Sequence, residues 1–102
     1  MEIVKKNNGS EFIFEVAGKI DTDTAPELEK EVVETLESNS AIVSLVIDVA
    51  NVIYLSSAGL RMLLSVQKKC NSTQKSMVIK NANETLKEVF EITGFINFLN
   101  VE

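Results

Sequence analysis

Ile42-Val43-Ser44-Leu45-Val46-Ile47-Asp48-Val49 is a near-continuous apolar run interrupted only by Ser44 and Asp48. A strand that faces solvent on one side alternates, whereas an unbroken run marks a central, parallel strand covered on both faces. Parallel neighbours need crossover connections, so helices are expected before and after this run. Both are legible. Upstream, Ala25, Leu28, Val32 and Leu36 fall at helical spacing, with Glu27, Glu29, Lys30, Glu31, Glu34 and Glu37 on the other faces. Thr24-Ala25-Pro26-Glu27 fits a capping box with proline in the first turn. Downstream, Tyr54-Leu55-Ser56-Ser57-Ala58-Gly59-Leu60-Arg61-Met62-Leu63-Leu64 reads as a strand end turning into a helix that runs to about Lys69.

The flanks complete the pattern. Glu2 to Lys6 and Glu11 to Ala17 are strand candidates around the turn residues Asn7-Asn8-Gly9-Ser10, which predicts a hairpin whose second strand is ended by Gly18. Ser76 to Lys80 is a short strand. Asn83 caps a last helix with Leu86, Val89 and Phe90 inward, and Gly94 closes it. The expected fold is a single α/β domain spanning residues 1–102, in the order β-β-α-β-α-β-α, with a mixed four-stranded sheet and helices mainly on one face.

Composition narrows the chemistry. The 102 residues are 45% hydrophobic and 25% charged, an ordinary globular balance. The single cysteine, Cys70, allows no internal disulfide, and without histidine there is no support for a zinc cluster or a Ser-His-Asp group. We therefore expect no enzyme activity, no cofactor and no metal. A net charge of −5 without a basic cluster argues against nucleic acid or an anionic membrane surface as partner. The N-terminus lacks the apolar core of a signal peptide, and no stretch is long and apolar enough to span a bilayer. A cytoplasmic, monomeric, protein-binding chain is the expectation.

Ser56 and Ser57 stand where the sharpest chemistry is expected. The first N–H groups of a helix have no intrahelical partners, and the helix dipole adds partial positive charge there. A phosphate ester on Ser57 would be welcome in that field and would change the surface without unfolding the helix. The plainer reading is that either serine is only an N-cap.

At these residues the chain resembles the bacterial anti-sigma-factor antagonists, the small single-domain members of the STAS family. Gly18-Lys19-Ile20-Asp21 resembles that family's Gly-x-Leu/Ile-Asp motif, and Asp48 to Leu55 its buried strand and following connection. Ser56-Ser57-Ala58-Gly59-Leu60 resembles its Asp/Ser-Ser-x-Gly-Leu phosphoacceptor motif, and Gly94-Phe95 its late Gly-aromatic turn. The resemblance implies that Ser57 is the phosphoacceptor. It further implies that the unphosphorylated chain binds an anti-sigma factor that is an ATP-dependent serine kinase, releases it once phosphorylated, and is reset by a serine phosphatase. Ser56 departs from the aspartate many members carry. The other function such a domain serves is as an accessory part of a membrane transport system, bound constitutively without phosphorylation.

Around the acceptor, the shared rim of the parallel strands is expected to bring Asp21 and Thr22 near Ser56 and Ser57. Ala58, Gly59, Leu60, Arg61 and Met62 are the remaining partner-facing candidates. Met62 lies on an apolar arc wide enough to be either ordinary core or an exposed patch. Gly59 either admits close approach of a partner to Ser57 or avoids a clash with the neighbouring strand. Asp48 is expected to accept backbone N–H groups of the next connection. A receiver-like phosphoacceptor role for it lacks the acidic pair and lysine such a site requires.

Overall fold

The computed structural model describes residues 1–102. Strands β1 (Glu2–Asn8) and β2 (Glu11–Ile20) form the hairpin, helix α1 (Ala25–Ser38) leads to β3 (Ser44–Leu55), and α2 (Ser57–Ser72) leads to β4 (Ser76–Lys80). Helix α3 (Glu84–Thr93) and a 3-10 turn at Phe95–Asn97 follow. The sheet order is β1-β2-β3-β4, with β1 antiparallel to β2 and the other neighbours parallel. Two crossovers of one hand that advance the same way along the sheet must lie on the same face. Helices α1 and α2 accordingly pack against each other over one side.

Register shows which side is the core. Phe12, Leu45 and Met77 are aligned across β2, β3 and β4, as are Phe14, Ile47 and Ile79. These rows join Leu28, Val32, Leu63, Val66, Leu86 and Phe90 in one cluster. Each such side chain, fully buried, contributes about 1.5–3 kcal/mol of transfer free energy. The opposite face carries Glu11-Ser44-Ser76 and Glu15-Asp48-Lys80 on either side of the row Ile13-Val46-Val78. The apolar run is thus covered by helices on one face only, which corrects the expectation of cover on both. Val46 is buried between Ile13 and Val78 without joining the core cluster, and that accounts for its apolar character.

Other boundaries also differ from expectation. Asn7 and Asn8 pair with Phe12 and Glu11, so only Gly9-Ser10 form the turn, with Gly9 in the left-handed region at φ +68°. Gly18 does not end β2. It sits at φ +98° beside a register shift, and β2 continues to Ile20. A second shift lies between Glu15 and Ala17, where β3 fits Val49 and Ala50 against Val16 alone. The capping box at Thr24 is not formed: its hydroxyl donates to the Lys19 carbonyl at 2.8 Å and to Asp21 Oδ1 at 3.1 Å instead. Asn83 does cap α3, its Oδ1 accepting from Leu86 N at 2.8 Å, and Gly94 closes that helix at φ +79°.

Candidate functional site

The rim where β2 and β3 end is built by the last parallel pair, Ile20 and Leu55. Beyond it, Ser56 N donates to the Ile20 carbonyl at 2.9 Å, which fixes the chain as it enters α2. Ser56 is the N-cap of α2, with extended backbone and Oγ accepting from Gly59 N at 3.1 Å. Ser57 is the first residue of the helix, exposed, and its hydroxyl forms no hydrogen bond within the chain. The two readings offered for this serine pair therefore fall on different residues. Ser56 does the capping, and Ser57 is left free at the positive end of a 16-residue helix that has no acidic residue in its first turn.

Asp21 follows Ile20 directly and lies on the same rim. Its Oδ1 accepts from Thr24 N and Asp23 N, both at 3.0 Å, as well as from the Thr24 hydroxyl. The Thr24 backbone N–H, ahead of the Asp23 N–H, the Thr24 hydroxyl and the nearby Lys19 charge, holds the Asp21 carboxyl below its ordinary value, against an opposing contribution from desolvation. Asp21 thus organises the turn into α1 at the edge of the site, and Thr22 is an exposed residue of that turn.

The remaining candidates divide by burial. Arg61 is exposed one turn beyond Ser57, on the same helix face, and forms no ion pair. Ala58, Arg61 and Met62 line a shallow depression with Ala25, Pro26, Glu29 and Ser65, where the Ser65 hydroxyl donates to Glu29 Oε2 at 3.0 Å. Leu60 and Met62 are core residues, 6% and 4% exposed, so the apolar patch beside Ser57 is not theirs. Large apolar side chains are exposed instead at Ile53 and Tyr54, 75% and 51%, a few residues before Ser57 at the irregular end of β3. Reading Asp48 to Leu55 as a buried strand missed them. Ala50-Asn51, a small and a polar residue that interrupt the apolar pattern before Val52, are the sequence signal of the register shift that falls there.

Gly59 is buried, and a Cβ on it would lie 2.6 Å from Leu55 Cδ1, 2.9 Å from Ile20 Cγ2 and 3.0 Å from the Ile20 carbonyl oxygen. Of the two readings for Gly59, this geometry supports the avoided clash with the neighbouring strands. Glycine here lets the first turn of α2 sit against the ends of β2 and β3. Asp48 is a structural clip: Oδ1 accepts from Ala50 N at 3.0 Å and Oδ2 from Asn81 Nδ2 at 2.9 Å, across the point where β4 leaves β3.

The structure is thus a small α/β domain with a four-stranded sheet and a capped helix start that presents the free Ser57 hydroxyl on the rim. The chain belongs to the STAS domain family, whose model matches residues 2–102. It is 33% identical to an anti-sigma-B factor antagonist of Listeria monocytogenes over 102 residues, which cover all of this chain and 87% of the relative. It is 31% identical to an anti-sigma-B factor antagonist of Staphylococcus epidermidis over 90 residues, 88% of this chain and 82% of the relative. Among solved structures, the anti-sigma factor antagonist SpoIIAA in its unphosphorylated form superposes with a TM-score of 0.83 at 11% identity, covering 99% of this chain and 88% of that one. An anti-sigma factor antagonist from Mycobacterium paratuberculosis superposes with 0.85 at 22% identity, covering 98% and 83%. These two likenesses establish the fold. No helix is long and apolar enough to cross a membrane.

Proposed function

We propose that the chain is an anti-sigma factor antagonist switched by phosphorylation of Ser57. Unphosphorylated, it binds an anti-sigma factor that is itself an ATP-dependent serine kinase and so frees the sigma factor. Phosphorylated, it lets the kinase go until a serine phosphatase resets it. It performs no catalysis of its own and acts in the cytoplasm. The observation that carries this reading is the division of labour between the two serines. Because Ser56 already holds the cap, a phosphate can be added to Ser57 without losing a hydrogen bond of the fold, next to the unpartnered N–H groups of α2. The partner-facing surface then comprises Ser57, Ala58 and Arg61 with the exposed pair Ile53 and Tyr54, and Asp21 and Thr22 at its edge.

The test is incubation with the cognate kinase and ATP, mapping of the phosphate by mass spectrometry, and titration of kinase binding. Label is expected on Ser57 alone and absent from Ser57→Ala. Ser57→Asp should bind the kinase at least about tenfold more weakly, a change of about 1.4 kcal/mol, with an unchanged melting temperature. Phosphate on Ser56, or full labelling of Ser57→Ala, would overturn the assignment.

A further inference from the structure

The sheet has two edges, and they differ. Beside β4, Ile79 N donates to the Asn100 carbonyl at 2.8 Å and Glu102 N donates to the Ile79 carbonyl at 2.8 Å, so the returning tail shields that edge. At the other edge, β1 pairs with β2 alone, and all seven of its residues except Ile3 are exposed. A strand edge of this length presents a row of unpaired backbone donors and acceptors, which other proteins cover or disrupt.

The sequence of β1 is self-complementary in one register. Glu2, Val4 and Lys6 pair with Ala17, Glu15 and Ile13 and so lie on the sheet face that carries no helix. If two copies of β1 run antiparallel with Val4 opposite its own counterpart, Glu2 of each copy lies opposite Lys6 of the partner subunit. The half-exposed Val4 side chains meet at the centre. Directly opposed residues on one face are about 4.5–5.5 Å apart at Cβ, close enough for an ion pair. The neighbouring registers that keep the faces matched centre on Ile3, where Glu2 meets Val4 and no ion pair forms, and on Lys5, which meets itself on the helix-bearing face, so charge selects the first. We infer that β1 pairs with β1 of a second copy through this register, joining two four-stranded sheets into one of eight strands about a two-fold axis.

The two-fold axis stands perpendicular to the sheet and turns the two rims to opposite ends, so both Ser57 hydroxyls stay uncovered. The dimer is weak. One strand pair is a small seam, well under the area of a stable interface, and the net charge of −5 on each copy opposes association. Glu27, Glu31 and Glu34 of the two α1 helices, only partly offset by Lys30 and by Lys5 paired to Glu31, also come to the same side of the seam. At about 0.15 M salt, where the screening length is about 8 Å, that longer-range repulsion is largely suppressed while the opposed pairs persist. The monomer expected from the sequence is then the dilute form.

Sedimentation equilibrium up to about 1 mM chain tests this, 1 mM being the Kd of a weak association. Glu2→Lys and Lys6→Glu each turn both cross-pairs into repulsions and should raise Kd by about tenfold or more. An equimolar mixture of the two variants restores both attractions, and should associate although neither variant does so alone. Circular dichroism confirms that each is folded, which matters for Lys6→Glu because it also removes the Lys6–Glu15 pair at 3.0 Å. A parent that stays monomeric overturns the proposal. So does a dimer indifferent to either reversal, or a mixture no more associated than its components.

Discussion

Gly59 shows how far one hydrogen atom reaches in this molecule. In an exposed helix interior glycine costs up to about 1 kcal/mol against alanine, so Gly59→Ala would be stabilising if propensity alone acted. The ends of β2 and β3 reverse that sign. The Leu55 methyl can turn aside from an added Cβ, but the Ile20 carbonyl at 3.0 Å is backbone, and it is also the acceptor for Ser56 N. The helix start would have to lift, disturbing the bond that sets its entry. We expect Gly59→Ala to lower unfolding free energy by about 1–3 kcal/mol, read from the urea midpoint at constant slope, the range for overpacking a filled site. Phosphorylation per folded molecule should be unchanged. A variant as stable as the parent would contradict the packing role.

Which elements were legible in the sequence, and which were not, follows the reach of the forces involved. The caps at Asn83 and Gly94 were legible, and the cap of α2 was legible to within the pair Ser56-Ser57, because each is settled by hydrogen bonds within four residues. The irregularities of β2 and β3 were not, because a bulge exists only relative to a neighbouring strand, and Gly18 read as a stop when it is a left-handed residue inside a longer strand. Likewise the wide arc of α2 left Met62 undecided until α1 was seen to cover it. The start of α1 lies between these cases. Thr24 was read as the cap, yet its hydroxyl is drawn back to Lys19 and Asp21, and the Asp21 carboxylate takes both free N–H groups of the turn. Since the folded carboxyl sits below its ordinary value of 3.8, the charged form favours folding. That stability is fully present above the unfolded value and is lost as pH falls through the folded one. The melting temperature of Asp21→Asn should therefore lie below the parent's at neutral pH and converge on it as pH falls through the lowered folded value of the Asp21 carboxyl. A gap that persists undiminished at pH 2 would show that charge plays no part in that turn.

The molecule as a whole has its helices on one side and an open face on the other, and the surface proposed for the kinase lies on one rim. Exposed apolar side chains are ordinary when scattered, so Ile53 and Tyr54 acquire meaning only from their place. They occupy the irregular end of β3, one connection before Ser57, with Lys19 aligned beside Tyr54. The most exposed large apolar residue is instead Ile92, 82% exposed on α3, and it supplies an internal control. Replacing either isoleucine by glutamate adds the same charge to an already exposed position, so neither change should move the melting temperature by more than about 2 °C, consistent with the small effects of surface substitutions. If kinase binding buries the rim, Ile53→Glu loses a desolvated contact and adds a charge to an interface centre, and affinity should fall by at least about tenfold. Ile92→Glu should bind as the parent does. Surface plasmon resonance against the immobilised kinase separates the two cases. Equal losses from both variants would mean that added negative charge, not the rim, governs association, while no loss from Ile53→Glu would confine the partner surface to α2.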